Sequence, residues 1–168
     1  MMFRNKNLFL TSQGLICPDR IIPVSFGKGG ISKRPKEHEA TTPAGDHTII
    51  GMLYRPDRLK KPRSWAMPIL VNSCWSNDGR DPDYYLMVSC SNKYSRKKLR
   101  IPTPLYDLIL LTDWNWPQAI KGRGSAFFIQ QWSAKKTPTD GSIAMSREAL
   151  LWLAAKVDYG TKVVIKIT

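Results

Sequence analysis

The sequence predicts a mainly β domain with minor α content, and three observations carry that expectation. Twelve prolines and eleven glycines break the chain into short apolar runs, the punctuation of strands joined by turns. Those runs favour β-branched and aromatic residues over the 3.6-residue period. Only one segment, near the C-terminus, has a helical pattern. Strands are expected at Leu8–Leu10, Ile21–Phe26, Thr48–Tyr54, Met67–Val71, Tyr106–Thr112, Ala126–Gln131 and Lys162–Ile167. "YDLILLT" is almost continuously apolar, as in a central strand covered on both faces. "TKVVIKI" mixes β-branched residues with lysines and is expected to end the sheet. The helix lies in "SREALLWLAAKVDYG". Ser146 is its N-cap and Glu148 occupies the positively polarised first turn. Leu150, Leu153, Ala154 and Val157 form one face, and Gly160 follows the end. The expected order there is strand, turn, helix, strand.

The 168 residues suit one domain with a real core. We expect residues 1–25 to add an N-terminal strand segment that packs on a domain spanning 26–168. An apolar share of 42% argues against extensive disorder. The 26 Lys and Arg exceed the 13 Asp and Glu, giving +13, so an anionic partner is expected. The basic residues fall in three groups, "SKRPK" (32–36), "RLKKPR" (58–63) and "KYSRKKLR" (93–100). Only the third, with Tyr94 available to stack, resembles a nucleic-acid patch. No zinc-finger, helix-turn-helix or RNP pattern accompanies it, so nucleic acid is not the expected partner. Cys17, Cys74 and Cys90 have no metal-ligand spacing. A reduced compartment is the simplest reading, with one disulfide and a leftover thiol as the alternative. The first residues lack the apolar length and small-residue site of a signal peptide. No run reaches the ~18 apolar residues of a membrane span.

Four motifs occur in a fixed order: "TTPAGDHTIIGMLYRPDR" (41–58), "LYDLILL" (105–111), "GRGSAFFI" (122–129) and "PTDGSIAM" (138–145). Together with the weaker "FGKGGI" (26–31) and "WSNDGRDPDYY" (75–85), they resemble the YkuD-type L,D-transpeptidase catalytic domain. The resemblance runs from about Phe26 to Thr168 and is nearest to the short bacterial subgroup without added wall-binding modules. It implies a curved mixed sheet or sandwich, acting on peptidoglycan with no metal or organic cofactor. In such enzymes a cysteine thiolate attacks a carbonyl of a donor stem peptide, and a histidine takes the proton. Backbone N–H groups stabilise the oxyanion, and the acyl group passes to an amine or to water.

This sequence keeps that frame and changes both reacting groups. Gln130 stands at the histidine position after "GRGSAFFI", and Ser142 stands at the cysteine position in "PTxGC". A thiol titrates at about 8.5, so a modest environment yields thiolate at neutral pH. A hydroxyl does not ionise there and needs a base at the moment of attack. A carboxamide is not a usable base. The expectation is a catalytically impaired member that still binds stem peptides. One alternative is a serine-dependent acyl transferase or hydrolase with Ser142 as nucleophile and His47 as recruited base. Another is a polyanion-binding module using the basic surface. His38, Cys74 and Cys90 are weaker candidates for replacement groups.

Gly141 is expected to shape the oxyanion turn, and Asp140 to cap it or orient a water. Arg123 and Ser125, in "GRGS", and Thr139 are assigned to substrate contact, Arg123 through a carboxylate or else a structural ion pair. Trp132 replaces a small family residue and is expected to narrow the groove, while Trp114 and Trp116 serve packing. The resemblance implies a monomer in the periplasm or cell envelope, with a cytoplasmic location the alternative given the missing signal.

Overall fold

A computed structural model describes residues 2–3, 6–124 and 126–167. Four short strands come first: β1 (Leu8–Thr11), β2 (Gly14–Ile16), β3 (Ile21–Ile22) and β4 (Val24–Ser25). After β5 (Ile31–Ser32) and β6 (Thr42–Pro43) comes the long β7 (Gly45–Tyr54), then β8 (Met67–Pro68). Next are β9 (Ser73–Ser76), β10 (Met87–Ser89) and β11 (Arg96–Lys98), a 3-10 turn (Pro104–Tyr106) and β12 (Leu108–Thr112). The chain closes with β13 (Phe128–Gln131), β14 (Ile143–Met145), α1 (Arg147–Lys156) and β15 (Lys162–Ile165).

One ten-stranded mixed sheet dominates, in the order β3-β2-β1-β15-β7-β12-β13-β14-β4, with β8 paired to β7. Pairs β1/β15, β13/β14 and β7/β8 are parallel; the other neighbours run antiparallel. The sheet curls until its ends nearly meet. Its two terminal strands, β3 and β4, are consecutive in sequence and separated only by Pro23. Proline supplies no N–H to a ladder, so the stretch Ile21–Phe26 breaks into two strands at opposite ends of the sheet rather than forming one.

The central strands bury both faces, as "YDLILLT" suggested. Met52, Leu108, Leu110 and Ile129 join a core with Leu150, Leu153, Ala154 and Val157 of the helical segment. Their neighbours Leu53, Ile109 and Phe128 point the other way, into a second cluster with Trp75, Tyr85 and Tyr106. That alternation is the two-residue period of a strand. Ser146 caps α1 as expected: its Oγ accepts from the Ala149 N–H at 3.2 Å.

Several local expectations need correction. β15 lies in the middle of the sheet, not at its end: Val163, Val164 and Ile165 are buried, and the lysines fall at Lys162 and beyond the strand. β14 intervenes between the turn and α1, so the order is strand, turn, strand, helix, strand. The run Met67–Val71 stops as a strand at Pro68, and Leu70 and Val71 are exposed. Tyr106 belongs to the 3-10 turn.

The cysteines also depart from the simplest reading. Cys74, on β9 of a separate sheet β10-β9-β11, and Cys90, the residue after β10, form a disulfide with Cα atoms 5.0 Å apart. The alternative reading, one disulfide with a leftover thiol, is therefore the one that holds. Cys17 is buried and its thiol is pushed up to about 12, first by burial and then by the charge of Asp19.

Candidate functional site

Gln130 and Ser142 reach one cavity from adjacent strands. Gln130 is on β13, whose register with β14 sets it beside Ala144, two residues past Ser142. Phe128 and Gln130 share the face that carries the second cluster. Ser142 precedes β14 and is half-buried; its Oγ accepts a hydrogen bond from the Phe128 N–H at 3.1 Å. The two side chains line a cavity of about 290 Å³ together with Tyr106, Trp132, Thr139 and Lys97. A larger cavity of about 540 Å³ opens on the other side of Ser142 and includes Lys36, His38, Trp114 and Arg123. Lys28, Lys97, Asp140 and Ser142 border both.

The turn before Ser142 is held by four hydrogen bonds through two threonine hydroxyls. Thr42, fully buried, donates from Oγ1 to the Gly141 carbonyl at 2.6 Å and accepts from the Gly27 N–H at 2.8 Å. Thr139 Oγ1 accepts from the Gly141 N–H at 3.1 Å and donates to the Ser142 carbonyl. The Gly141 N–H is thereby occupied. Gly141 has φ +141°, and a Cβ there would lie 2.9 Å from the Thr41 carbonyl oxygen. Both facts exclude side chains. Gly141→Ala is therefore expected to lower stability by about 1–3 kcal/mol, read as a reduced urea midpoint; an unchanged midpoint would mean that the turn relaxes freely.

Thr139 thus braces the turn as well as lining the smaller cavity. Asp140 does not cap the turn; it is exposed and pairs with Lys28 at 2.8 Å, across the strip shared by both cavities. Arg123 is exposed on the larger cavity, and no carboxylate among the described residues pairs with it. A structural ion pair is not what holds it. Ser125 lies outside the described residues. Trp132 is half-buried at the Gln130 end, and Trp114 packs edge-on against Tyr85 while lining the larger cavity.

The proposed substitutes for the lost groups lie elsewhere or are spent. Cys74 and Cys90 are joined, so neither offers a thiolate. His47 is buried, with Nε2 2.9 Å from the Pro43 carbonyl and its ring edge-on to Phe127. It lines neither cavity at Ser142. Burial lowers its basicity below the ordinary imidazole value, partly countered by the Pro43 bond. The exposed His38 does line the larger cavity with Ser142.

Charge at the site follows a division of labour between the two cations. Every ion pair between described residues uses arginine except Lys28–Asp140. Arg58 and Arg147 share the buried Asp107, and Arg96 holds the buried Asp81. The planar guanidinium suits such forked contacts. Four of the nine basic residues in the second and third groups, Arg58, Arg63, Arg96 and Arg100, are therefore engaged internally. The ring of Tyr94 is flanked by Lys93 and Arg96 at 5.2 and 5.8 Å, so it is not an open stacking platform. Lys36, Lys97 and Arg123 face the larger cavity, against Glu37 and the already paired Asp140.

Lys28, Lys36, Lys97, Thr42 and the Phe128 N–H were not singled out by sequence reasoning. Thr42 and Gly141 are 99 residues apart, and no local signal links them.

The nearly closed mixed sheet thus carries a groove lined by lysines and an arginine beside a glycine-bearing turn. The family model described as the L,D-transpeptidase catalytic domain (YkuD) matches residues 4–165, and the chain belongs to that family. No curated protein and no solved structure matches it. The family acts on peptidoglycan, and no helix among the described residues is long and apolar enough to cross a membrane.

Proposed function

We propose that this domain is a monomeric, catalytically impaired L,D-transpeptidase of the cell envelope that binds peptidoglycan stem peptides without turning them over. One observation supports the reading: Gln130 and Ser142, at the base and nucleophile positions, line a single cavity, and neither side chain can do the work of the group it replaces. The Ser142 hydroxyl already accepts a hydrogen bond from backbone, and a carboxamide beside it cannot take its proton. In a serine protease, loss of the nucleophile–base unit costs about 10⁶ in turnover, with binding and oxyanion contacts remaining. Binding survives because the groove keeps Arg123, Lys36 and Lys97 for the carboxylates of a stem peptide. Neither a metal nor an organic cofactor enters this reading.

Calorimetric titration with a soluble tetrapeptide stem tests it. Saturable binding is expected, with no new product by mass spectrometry after long incubation. Arg123→Glu is expected to weaken the interaction by about 10- to 150-fold, one charge-assisted contact being worth roughly 1.5–3 kcal/mol. Absence of heat and of any competition would remove the proposal.

A serine-dependent hydrolase is the second reading, and the position of His38 on the larger cavity favours it over a version that uses His47. Covalent labelling of Ser142 by a fluorophosphonate, abolished by His38→Ala, would establish it. The polyanion-binding reading has less support, since so much of the arginine charge is engaged internally.

A further inference from the structure

The turn from β8 into β9 holds apolar side chains that the fold does not use. It reads "MPILVN" (67–72). Ile69 is buried in the second cluster, whereas Met67, Leu70 and Val71 are 49%, 59% and 79% exposed. Single exposed apolar residues are ordinary on a surface, but three within five residues at one apex are not. The apex is firmly tied. The Leu70 N–H donates to Ser73 Oγ at 2.9 Å, and the Ser73 N–H donates to the Leu70 carbonyl at 3.1 Å. The Asn72 carbonyl accepts from the Cys90 N–H at 3.0 Å, and the Ser73 carbonyl accepts from the Leu99 N–H at 3.2 Å. Cys74 and Cys90, both next to these bonds, form the disulfide. A turn fixed at this many points still presents Leu70 and Val71 to water, so neither side chain serves internal packing. Neither lines a cavity at Ser142.

Charge says what kind of surface the apex meets. The stretches 58–77 and 84–106, which contain β8, β9, β10 and β11, hold nine lysines and arginines and no Asp or Glu. The four arginines in ion pairs are spent inside the fold. The five lysines, Lys60, Lys61, Lys93, Lys97 and Lys98, are all exposed, and none pairs with a carboxylate among the described residues. Two of them come close to the apex through the backbone. Lys98 lies opposite Cys74 in the β9/β11 register. Lys93 follows three residues after Cys90, whose N–H is bonded to Asn72. An apolar tip beside unpaired ammonium groups, with no acid in either stretch, is complementary to a surface that is apolar inside and anionic at its rim.

We propose that this apex docks the domain on a bilayer rich in anionic phospholipid, with Leu70 and Val71 entering the headgroup–acyl boundary and Lys93 and Lys98 meeting lipid phosphates. Interfacial binding grows with the apolar area inserted and with the attraction of basic residues to anionic lipid. The two contributions act together here, since two side chains inserted alone would hold the membrane only weakly. A soluble polyanion would engage the lysines and leave Leu70 and Val71 in water. A bilayer uses both.

The test is co-sedimentation of the full chain with vesicles of phosphatidylglycerol mixed with phosphatidylcholine, and with vesicles of phosphatidylcholine alone. Binding to the anionic vesicles is expected, at least about tenfold tighter than to the neutral ones, and weakening as salt screens the lysines. Leu70→Ser combined with Val71→Ser should lower vesicle affinity at least about tenfold while leaving retention on heparin unchanged. Both side chains are exposed, so the variant should keep the parent's melting temperature. Lys93→Gln combined with Lys98→Gln should shrink the preference for phosphatidylglycerol. Full vesicle binding by the Leu70/Val71 variant would overturn the proposal in favour of a purely electrostatic surface. Absence of vesicle binding by the parent would overturn it too, and would leave the apex to a protein partner.

Discussion

Gln130→His combined with Ser142→Cys is expected to create an enzyme that takes up a carbapenem, gaining the mass of one acyl adduct. The rate should exceed that of the parent by at least about 10⁴, within the roughly 10⁶ that a complete nucleophile–base unit contributes in a serine protease. The expectation rests on geometry: both positions line one cavity, and the turn that presents Ser142 is fixed by Thr42, Thr139 and Gly141. Cysteine in place of serine changes one atom, and imidazole has nearly the volume of the carboxamide chain. Ser142→Cys alone should react slowly, because a thiol with a pKa of about 8.5 is partly ionised at neutral pH without help. Gln130→His alone should stay close to the parent. Intact-mass measurement over time separates the three. A folded double variant that remains unlabelled would show that the groove no longer admits an acyl donor.

The second large effect is on stability. Opening the Cys74–Cys90 bridge should lower the unfolding free energy by about 3 kcal/mol, the chain-entropy value for a loop near 15 residues; here the separation is 16. For a chain of this length that corresponds to a melting temperature lower by roughly 6–12 °C. Function should follow, since the bridged sheet leads into Asn77, Ser95 and Lys97, which border the larger cavity. Paired denaturation curves with and without a reductant, and on Cys74→Ser with Cys90→Ser, give the number. Cys17 does not confuse the comparison, because its buried thiol is far from ionising. Overlapping curves would mean that the sheet is secured by packing alone.

Much of the architecture was legible because apolar runs bounded by Gly and Pro persisted over several residues. β7, β12 and β13 lie in such runs, and α1 shows the helical period together with a cap that forms. The family resemblance assigned Gln130 and Ser142 to one site, and both line one cavity. What stayed hidden involved either very short strands or distant partners. β14 has three residues after a Gly-Ser turn, too few for a pattern, so the chain read as passing straight into the helix. β9, β10 and β11 are likewise short, and three cysteines carry no information on which two pair. Lys28 and Lys97 are ordinary surface lysines in sequence. They become site residues only because Gly27 bridges Thr139 and β11 pairs with β9 near the groove. The lysines of "TKVVIKI" pointed to an edge, but they flank the strand while its interior is wholly apolar.

The placement of β15 has a consequence for biosynthesis. It is the last of the fifteen strands to be made, yet it fills the gap between β1 and β7. Until it emerges from the ribosome, β1 has only β2 beside it, and the first part of β7, Gly45–Thr48, presents a bare flank. Sheet closure at Pro23 must also wait, since β4 joins through β14 rather than through β3. Long-range pairing of this kind is slow and exposes unpaired edges while it lasts. Closure of the main sheet is therefore expected to wait for β15 and then to proceed as one cooperative event.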